Sequence, residues 1–398
     1  MERFVGTVSR GVRAPIIREG DDIVQIVTDS VLDAAKGEGI AFRDRDVVAV
    51  TEAVVARAQG NYANCDQIAA DVKAKFPSGE LAIIFPILSR NRFAICLRGI
   101  ARGAKKIYLM FSYPSDEVGN HLISMDDVDA AGLNPYTDIL TEERYRELFG
   151  YKKHRFTGVD YVQYYKDLIK EEGADVEIIF ANDARAILNY TKNVITCDTH
   201  TRERNKRLLK EAGGEIVMGL DGILNESVNG SGYNKNYGLL GTNKATEETV
   251  KLFPEHCEEV VEGIAQKLYV ATGKKVEVMV YGDGAFKDPV GKIWELADPV
   301  VSPAYTAGLE GQPNELKLKY LADNDFADLS GDALKEAISE RIKEKDANLV
   351  GKMASEGTTP RRLTDLLGSL CDLTSGSGDK GTPIVWIQGY FDNYTAGY

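Results

Sequence analysis

The sequence has few cysteines and no long hydrophobic run, and these absences exclude several classes of protein. No stretch approaches the roughly 18 apolar residues that a transmembrane helix needs, and the opening MERFVGTVSRG lacks the apolar core of an export signal. An odd, scattered set of cysteines without a C-x-x-C pair favours reduced thiols over a disulfide framework or a zinc site. The five are Cys65, Cys96, Cys197, Cys257 and Cys371. We therefore expect a cytoplasmic protein with no membrane partner.

Basic residues are also in short supply. The 398 residues include 61 Asp and Glu against 48 Lys and Arg, which gives a formal net charge of −13. Such a chain repels a phosphate backbone overall, so we expect no nucleic-acid partner. Three of the 4 histidines, His121, His154 and His256, are isolated and are interpreted as structural or surface residues. The remaining composition is that of a globular protein of two or three domains.

Helical and strand patterns alternate along the chain. The segment REGDDIVQIVTDSVLDAAKGEG predicts a helix that begins at Asp21 or Asp22 and ends at Gly37 or Gly39, and Val47–Val50 predicts a buried strand. From about 105 to 223, strand-like runs such as KIYLMFSY, VEIIFAND and NVITCDTH alternate with helical ones. This alternation predicts an inserted α/β segment.

The stretch VMVYGDGAFKDP presents Asp283 between two glycines after an apolar strand, with Asp288 close behind. A carboxylate at such a strand end is a suitable ligand for a metal or for a phosphate-bound cation. Asp-Gly is also the commonest hairpin signal, so a simple hairpin turn is the alternative.

Two further places suit phosphate. The loop TSGSGDKG contains Gly376, Ser377, Gly378 and Lys380, whose small residues allow backbone N–H groups to approach an anion closely. It does not match the Walker A pattern, and a flexible turn is the alternative. Arg57, directly after a buried run, offers a fork of donors that suits phosphate oxygens, although most arginines are surface groups.

A fourth candidate is CDTHTRER, in which Cys197, Asp198 and His200 lie close together at a predicted strand end. A Cys/His nucleophile pair of a hydrolase or a metal site is one interpretation. A local hydrogen-bonded turn is the other.

The order of several segments resembles a known family. They are APIIREGDDI, RDVVAVTEAVVARAQGN, NYGLLGTN, TGKKVEVMVYGDG and LLGSLCDLTSGSGDKGTPIVWIQG. Together they resemble the gamma-glutamyl ligases of the deazaflavin coenzyme factor 420, over roughly the first hundred residues and parts of the last 170. The resemblance implies a GTP-dependent, metal-dependent joining of L-glutamate to an acceptor through an acyl-phosphate. It also implies an α+β fold and a homodimer that shares its site.

The resemblance also assigns nucleotide contacts. The family's Pro-containing strand at the guanine nucleotide corresponds to Ala14, Pro15, Ile16 and Ile17. Its phosphate-binding lysine corresponds to Arg57, a further nucleotide contact to Asn243, and its last loop to Ser375–Ser377. Gly376, Ser377, Gly378 and Lys380 would then hold phosphates.

The metal ligands correspond less closely. Asp283 matches one acidic position of the family, whereas Leu240 and Ser377 stand where the family has acidic residues. A site for Mg or Mn would then be reduced, absent, or rebuilt from Asp288, Glu226 or the insert.

We predict a ligase-like two-domain scaffold with an inserted α/β segment, divided as 1–104, 105–223, 224–300, 301–350 (a helical insert) and 351–398. The predicted function is a GTP- or ATP-dependent gamma-glutamyl ligase acting on a carboxylate-bearing acceptor, whose flat ring would contact Tyr161, Tyr164 and Tyr165. The alternative is a nonenzymatic nucleotide- or small-molecule-binding protein that has lost its acidic metal ligands.

Overall fold

The computed structural model describes residues 4–155, 157–282, 302–358, 361–376 and 378–395, together with the backbone of 285–287 and 294–296. The strands are β1 (Val8–Val12), β2 (Val47–Thr51), β3 (Tyr62–Asn64), β4 (Glu80–Ile84), β5 (Lys106–Phe111), β6 (Leu140–Thr141), β7 (Asp175–Phe180), β8 (Asn193–Thr196), β9 (Ile216–Gly219), β10 (Asn243–Lys244), β11 (Thr249–Lys251), β12 (Glu277–Tyr281), β13 (Ala285–Lys287), β14 (Trp294–Leu296), β15 (Ala304–Tyr305) and β16 (Ile384–Gln388).

The helices are α1 (Ile23–Glu38), α2 (Glu52–Gln59), α3 (Cys65–Lys75), α4 (Phe93–Gly103), α5 (Met125–Ala130), α6 (Glu142–Phe149), α7 (Tyr161–Glu171), α8 (Arg202–Glu211), α9 (Cys257–Thr272), α10 (Leu318–Tyr320), α11 (Gly331–Lys343) and α12 (Leu363–Thr374). Among the described residues, no helix is long and apolar enough to cross a membrane.

The chain divides into two compact units. Unit 1 comprises Met1–Val55, His256–Lys287 and Trp294–Tyr398, and unit 2 comprises Ala56–Glu255 and Asp288–Ile293. The sheets of the described residues are mixed in one unit and mainly parallel in the other, so the predicted α+β class is confirmed. The five predicted segments stay a prediction. The first strand of the six-stranded sheet, β4, precedes the segment from 105 to 223 that we predicted as an insert.

Unit 1 is built on a five-stranded sheet of order β1-β16-β2-β12-β15. Only β2 and β12 run parallel to each other. The two strands carry the runs VVAVT and EVMVY, and every residue in them is buried. Apart from Thr51 and Glu277 at their ends, these runs are apolar, as expected of strands whose two faces are both covered.

Local sequence signals explain the boundaries of α1. The Asp22 carboxylate accepts a hydrogen bond from the Gln25 N–H at 2.9 Å and caps the first turn. Gly39 ends the helix at a φ of 66°, a left-handed conformation that glycine adopts without a steric cost. The predicted start and end of this helix are therefore confirmed.

Unit 2 contains a six-stranded sheet of order β6-β7-β5-β4-β8-β9, in which all strands but β6 are parallel. The chain starts at β4, moves outward through β5 to β7, and then returns to the other side of β4 to form β8 and β9. This is a doubly wound order, and its direction reverses between β4 and β8.

The core of unit 2 is rich in aromatic side chains, and this corrects the prediction made for the tyrosine-rich helix. Tyr161 and Tyr165 of α7 are buried, and only Tyr164 is half-buried. The Tyr165 hydroxyl donates to the Ile87 carbonyl at 2.7 Å and accepts from the Ser89 N–H at 2.8 Å. These rings therefore serve the core, and a flat ligand ring cannot reach Tyr161 or Tyr165 from solvent.

Candidate functional site

One edge of the sheet in unit 1 collects the segments to which the sequence assigned nucleotide binding. Val12 at the end of β1 pairs with Ile384 at the start of β16, and Ile384 also pairs with Val50 near the end of β2. Tyr281, the last residue of β12, pairs with Thr51. The residues that follow β1, β2 and β12 and those that precede β16 therefore lie at the same edge.

A direct contact joins two of these segments. The Ala14 N–H donates to the Gly381 carbonyl at 3.1 Å, which places the segment of Ala14, Pro15, Ile16 and Ile17 beside the glycine-rich loop. A further bond runs from the Thr51 N–H to the Pro383 carbonyl at 3.0 Å. The predicted nucleotide-binding segment, which follows β1 and is not itself a strand, and the predicted loop are thus adjacent in space, although they stand at opposite ends of the sequence.

The glycine-rich loop is a defined turn between α12 and β16. Gly376 and Thr382 form an antiparallel bridge, and the Gly381 N–H donates to the Gly378 carbonyl at 3.0 Å. At the base of the loop, the Ser375 hydroxyl donates to the Thr382 carbonyl at 2.6 Å. The described part of the loop therefore has a fixed base, with Gly378 and Lys380 exposed at its tip.

Close packing holds β1 against this base. A Cβ atom at Gly11 would lie 2.8 Å from Ser375 Oγ and 3.1 Å from the Thr382 Cβ. Any larger residue at this position would push the strand and the loop apart. Gly11 thus permits the approach that brings Ala14 to Gly381.

Two side chains are exposed at this edge: Ile16, which the family resemblance assigned to the nucleotide, and Arg13, which the sequence did not single out. Arg13 follows β1 directly, and Ile16 is 84% exposed. An arginine beside a glycine-rich loop can bind phosphate oxygens, and an exposed aliphatic chain can contact a flat ring. The position of Arg13 next to the Pro-containing segment was a signal in the sequence that could have pointed to this residue. The face of the sheet on which Arg13 lies, however, depends on the pairing of β1 with β16.

The opposite end of the sheet is occupied by a buried polar network. The Asp46 carboxylate accepts from the Trp386 indole N–H at 3.1 Å, from the Gln388 amide at 2.7 Å and from the Arg43 N–H at 3.0 Å. Burial raises the pKa of Asp46 despite these donors. Because all of its bonds go to side chains and backbone of the same unit, this end is structural.

The predicted metal ligands Asp283 and Asp288 and the loop residue Ser377 lie outside the described residues. Gly282, the last described residue before them, follows β12 at the site edge. In the described backbone, β12 pairs with β2 and β15, whereas β13 pairs with β14. The alternative of a hairpin turn at Asp283 and Gly284 falls on the same residues outside the described ranges and stays a prediction.

Leu240 stands where the family resemblance implies an acidic metal ligand, and a leucine side chain cannot bind a metal. Its side chain is 4% exposed and belongs to the hydrophobic core of unit 2. Across the part of the chain that the structure describes, no group of three or more His, Cys, Asp or Glu side chains is placed to hold a metal ion. The described residues therefore do not form a metal site by themselves.

Arg57 and Asn243 belong to unit 2. Arg57 lies in the last turn of α2, and Asn243 begins β10, opposite Lys251 of β11. Asn243 is half-buried. Their assignment to the nucleotide stays a prediction.

The structure does not support a Cys/His nucleophile at CDTHTRER. Cys197 is 1% exposed, and burial raises the pKa of its thiol well above the ordinary value, with the neighbouring Asp198 carboxylate acting in the same direction. A thiol that stays protonated is a poor nucleophile. His200 is exposed, and its backbone N–H donates to the Glu117 carboxylate at 2.9 Å. The segment is a hydrogen-bonded turn at the end of β8.

Comparison with known protein families gives a match over almost the whole chain. Residues 11–389 match the family described as F420-0:gamma-glutamyl ligase. No curated protein matches the chain. The description names the family's activity, in which a gamma-glutamyl group is joined to F420-0, so glutamate and a small-molecule acceptor are the partners of the family. Because the match covers far more than half of the sequence, the chain belongs to the F420-0:gamma-glutamyl ligase family.

Proposed function

We propose that this chain is a GTP-dependent gamma-glutamyl ligase that activates a carboxylate-bearing acceptor as an acyl-phosphate. In the first step a carboxylate oxygen of the acceptor attacks the γ-phosphorus of GTP, and GDP leaves. In the second step the amine of L-glutamate attacks the acyl carbon, an amide bond forms, and phosphate and a proton are released. Each cycle therefore converts one acceptor, one GTP and one glutamate into one amide product, one GDP, one phosphate and one proton.

The observation that carries the proposal is the hydrogen bond from Ala14 to Gly381. It joins the segment assigned to the guanine nucleotide with the loop assigned to the phosphates, at the edge where β12 also ends. The exposed loop residue Gly378 and the exposed side chains of Lys380 and Arg13 at this edge suit the phosphate chain, because backbone N–H groups and cations stabilise negative charge on a phosphoryl group.

The proposal includes a divalent cation, but its predicted ligands, Asp283 and Asp288, lie outside the described residues. The described residues do not form a site, and Leu240 replaces an acidic position with core packing. We therefore assign no step to a metal. Asp283 and Asp288 stay the predicted ligands of Mg or Mn, whose role when bound is to neutralise phosphate charge.

The proposal also includes a cytoplasmic homodimer, as the family resemblance implies. The acceptor is a small molecule with a carboxylate, of which F420-0 is the one in the family's description.

The second candidate function is a nucleotide-binding protein without ligase activity. The burial of Leu240 in the core favours it, because one acidic position that the family resemblance implies is lost. This candidate predicts nucleotide binding at the same edge, with no turnover.

The test measures GTP and ATP hydrolysis and amide formation with L-glutamate and F420-0, with and without Mg or Mn. We expect metal-dependent turnover in the wild type and a loss of at least about a hundredfold in Asp283→Asn. Asp328→Asn, which changes an exposed aspartate of unit 1 away from this edge, is the matched control.

A second pair of variants tests the loop. Lys380→Ala should weaken GTP binding about tenfold, whereas Lys319→Ala, an exposed lysine elsewhere in unit 1, should leave it unchanged. Nucleotide binding without turnover under any condition would establish the second candidate. Turnover that survives in Asp283→Asn would remove the assigned role of this residue.

A further inference from the structure

The doubly wound sheet of unit 2 has a preferred place for a ligand. In such sheets ligands bind outside the carboxyl ends of the strands, where the strand order reverses. Here the reversal lies between β4 and β8, so the loops that follow Ile84 and Thr196 define the place.

The chain closes this place with its own carboxylates. Asp116, which follows β5, accepts from the Leu88 N–H in the loop after β4 at 2.9 Å. The adjacent Glu117 accepts from the Thr199 N–H and, at 2.9 Å, from the His200 N–H in the loop after β8. Backbone N–H groups that would otherwise face an anion are thus already bonded to internal anions, and a ligand must bind elsewhere.

The same loop forms one wall of a cavity. We call this cavity the histidine pocket; it is lined by residues 121–127 and 152–155 and has a volume of about 430 Å³. The β-bridge between Ser115 and His121 connects this wall to the part of the loop that carries Asp116 and Glu117. Cavities of roughly 300–1,000 Å³ are the usual size for small-molecule sites, and a single phosphate would leave most of this one empty.

The rim of the histidine pocket is basic, in a chain whose net charge is −13. Lys152 is paired with Asp127 at 2.9 Å. Lys153 and Arg155 are exposed and make no ion pair with the rest of the described chain, and the one other acidic residue on the lining is the exposed Asp126. Once Lys152 and Asp127 neutralise each other, two cations face one anion.

An imidazole and an apolar floor complete the pocket. The Thr157 N–H donates to His154 Nδ1 at 3.3 Å, and the Thr157 hydroxyl oxygen lies 3.1 Å from the same nitrogen. Leu122 and Ile123 are buried beneath the rim and present an apolar surface. A fitting ligand therefore combines anionic groups, which can pair with Lys153 and Arg155, with an apolar part that contacts the floor.

We propose that the histidine pocket binds a small organic polycarboxylate, of the class to which γ-linked glutamates belong. Each γ-linked residue carries one free carboxylate for the basic rim and two methylene groups for the apolar floor. The choice of γ-linked glutamates within this class rests on the proposed function, because a gamma-glutamyl ligase makes such groups.

Isothermal titration of the full chain with tri-γ-glutamate at low ionic strength tests the proposal, with L-glutamate and inorganic phosphate as parallel probes. The pocket variant is Lys153→Gln with Arg155→Gln. The matched control is Lys210→Gln with Arg204→Gln, which removes the same two charge types from exposed positions of α8. We expect tri-γ-glutamate to bind about tenfold more weakly to the pocket variant and within about twofold of the wild type in the control.

Three results would overturn the proposal: no binding of tri-γ-glutamate, equal weakening in both variants, or inorganic phosphate binding as tightly as the oligomer. Ligase turnover is measured on the same samples. Binding without turnover in the wild type would refute the proposed function and leave the pocket standing. Ligase turnover without binding of tri-γ-glutamate would refute the pocket proposal and leave the proposed function standing.

Discussion

The two units place loops at the ends of buried strands, but they use those ends differently. In unit 1 the edge formed by β1, β2, β12 and β16 leaves Arg13, Ile16 and Lys380 exposed around a glycine-rich loop. In unit 2 the corresponding strand ends are closed by Asp116 and Glu117, whose carboxylates take up backbone N–H groups.

The difference shows that topology alone does not make a site. The doubly wound order of unit 2 favours a ligand at the reversal of strand order, yet the donors there are already used. The mixed sheet of unit 1 carries no such topological rule, yet its loop and cations remain accessible. Free hydrogen-bonding groups and charge decide which strand ends can bind an anion.

The largest expected effect concerns Leu240, where the family position would be acidic. Leu240→Asp should lower the free energy of unfolding of unit 2 by about 4 kcal/mol, because a carboxylate would be buried in the hydrophobic core without a partner. Leu240→Met, which keeps the volume, should cost less than about 1.5 kcal/mol. Urea denaturation followed by circular dichroism measures both. If Leu240→Asp were as stable as the wild type and bound Mg, our view of this position would be wrong.

The next effect compares one aspartate from each unit. Asp116→Ala should cost about 3 kcal/mol, because it leaves the buried N–H group of Leu88 and the half-buried N–H groups of Val118 and Asn120 without their acceptor. Asp379→Ala, in the exposed loop of unit 1, should change stability by less than about 0.5 kcal/mol. Equal losses in the two variants, seen in thermal or chemical denaturation, would contradict the contrast between closed and open strand ends.

A smaller effect is expected at the contact between β1 and the loop. Gly11→Ala places a methyl group 2.8 Å from Ser375 Oγ, so the loop must shift, and GTP binding should weaken about fivefold, or 1 kcal/mol. Gly6→Ala is the control, since a Cβ there meets no atom within 4 Å. Titration with a fluorescent GTP analogue measures both. Unchanged affinity in Gly11→Ala would show that the position of the loop base does not matter for the nucleotide.

The smallest effect is a pH dependence at the histidine pocket. A hydrogen bond from Lys152, together with bonds from the Ser124 backbone and hydroxyl, lowers the pKa of Asp127 to about 2 from its ordinary value of 3.8. A lowered carboxyl pKa stabilises the folded state above pH 3.8, and this contribution is lost as the pH falls towards 2.

Because Asp127 is partly exposed and screened by solvent, the contribution should be only about 0.5 kcal/mol. Denaturation of the wild type and of Asp127→Asn at pH 6 and at pH 2.5 checks it: the difference between the two proteins should shrink at the lower pH. A difference that grows on acidification would contradict the assigned ion pair.

Local signals in the sequence determined most helices and strands of the described chain. Asp22 and Gly39 define α1, and the apolar runs at Val47–Val50 and in EVMVY became the buried strands β2 and β12. These signals work because caps and short apolar runs act between neighbours in the chain. The family resemblance, carried by an ordered set of such segments, could likewise be seen in the sequence.

Only the tertiary structure decided which side chains are available for function. It buried Tyr161, Tyr165 and Cys197, which the sequence left open as functional positions, and it placed Leu240 in the hydrophobic core. It also brought Ala14 to Gly381 and Glu117 to the loop after β8, through strand pairings between segments far apart in the chain. Burial and long-range pairing depend on how the whole sheet is ordered, and no local pattern of residues encodes that order by itself.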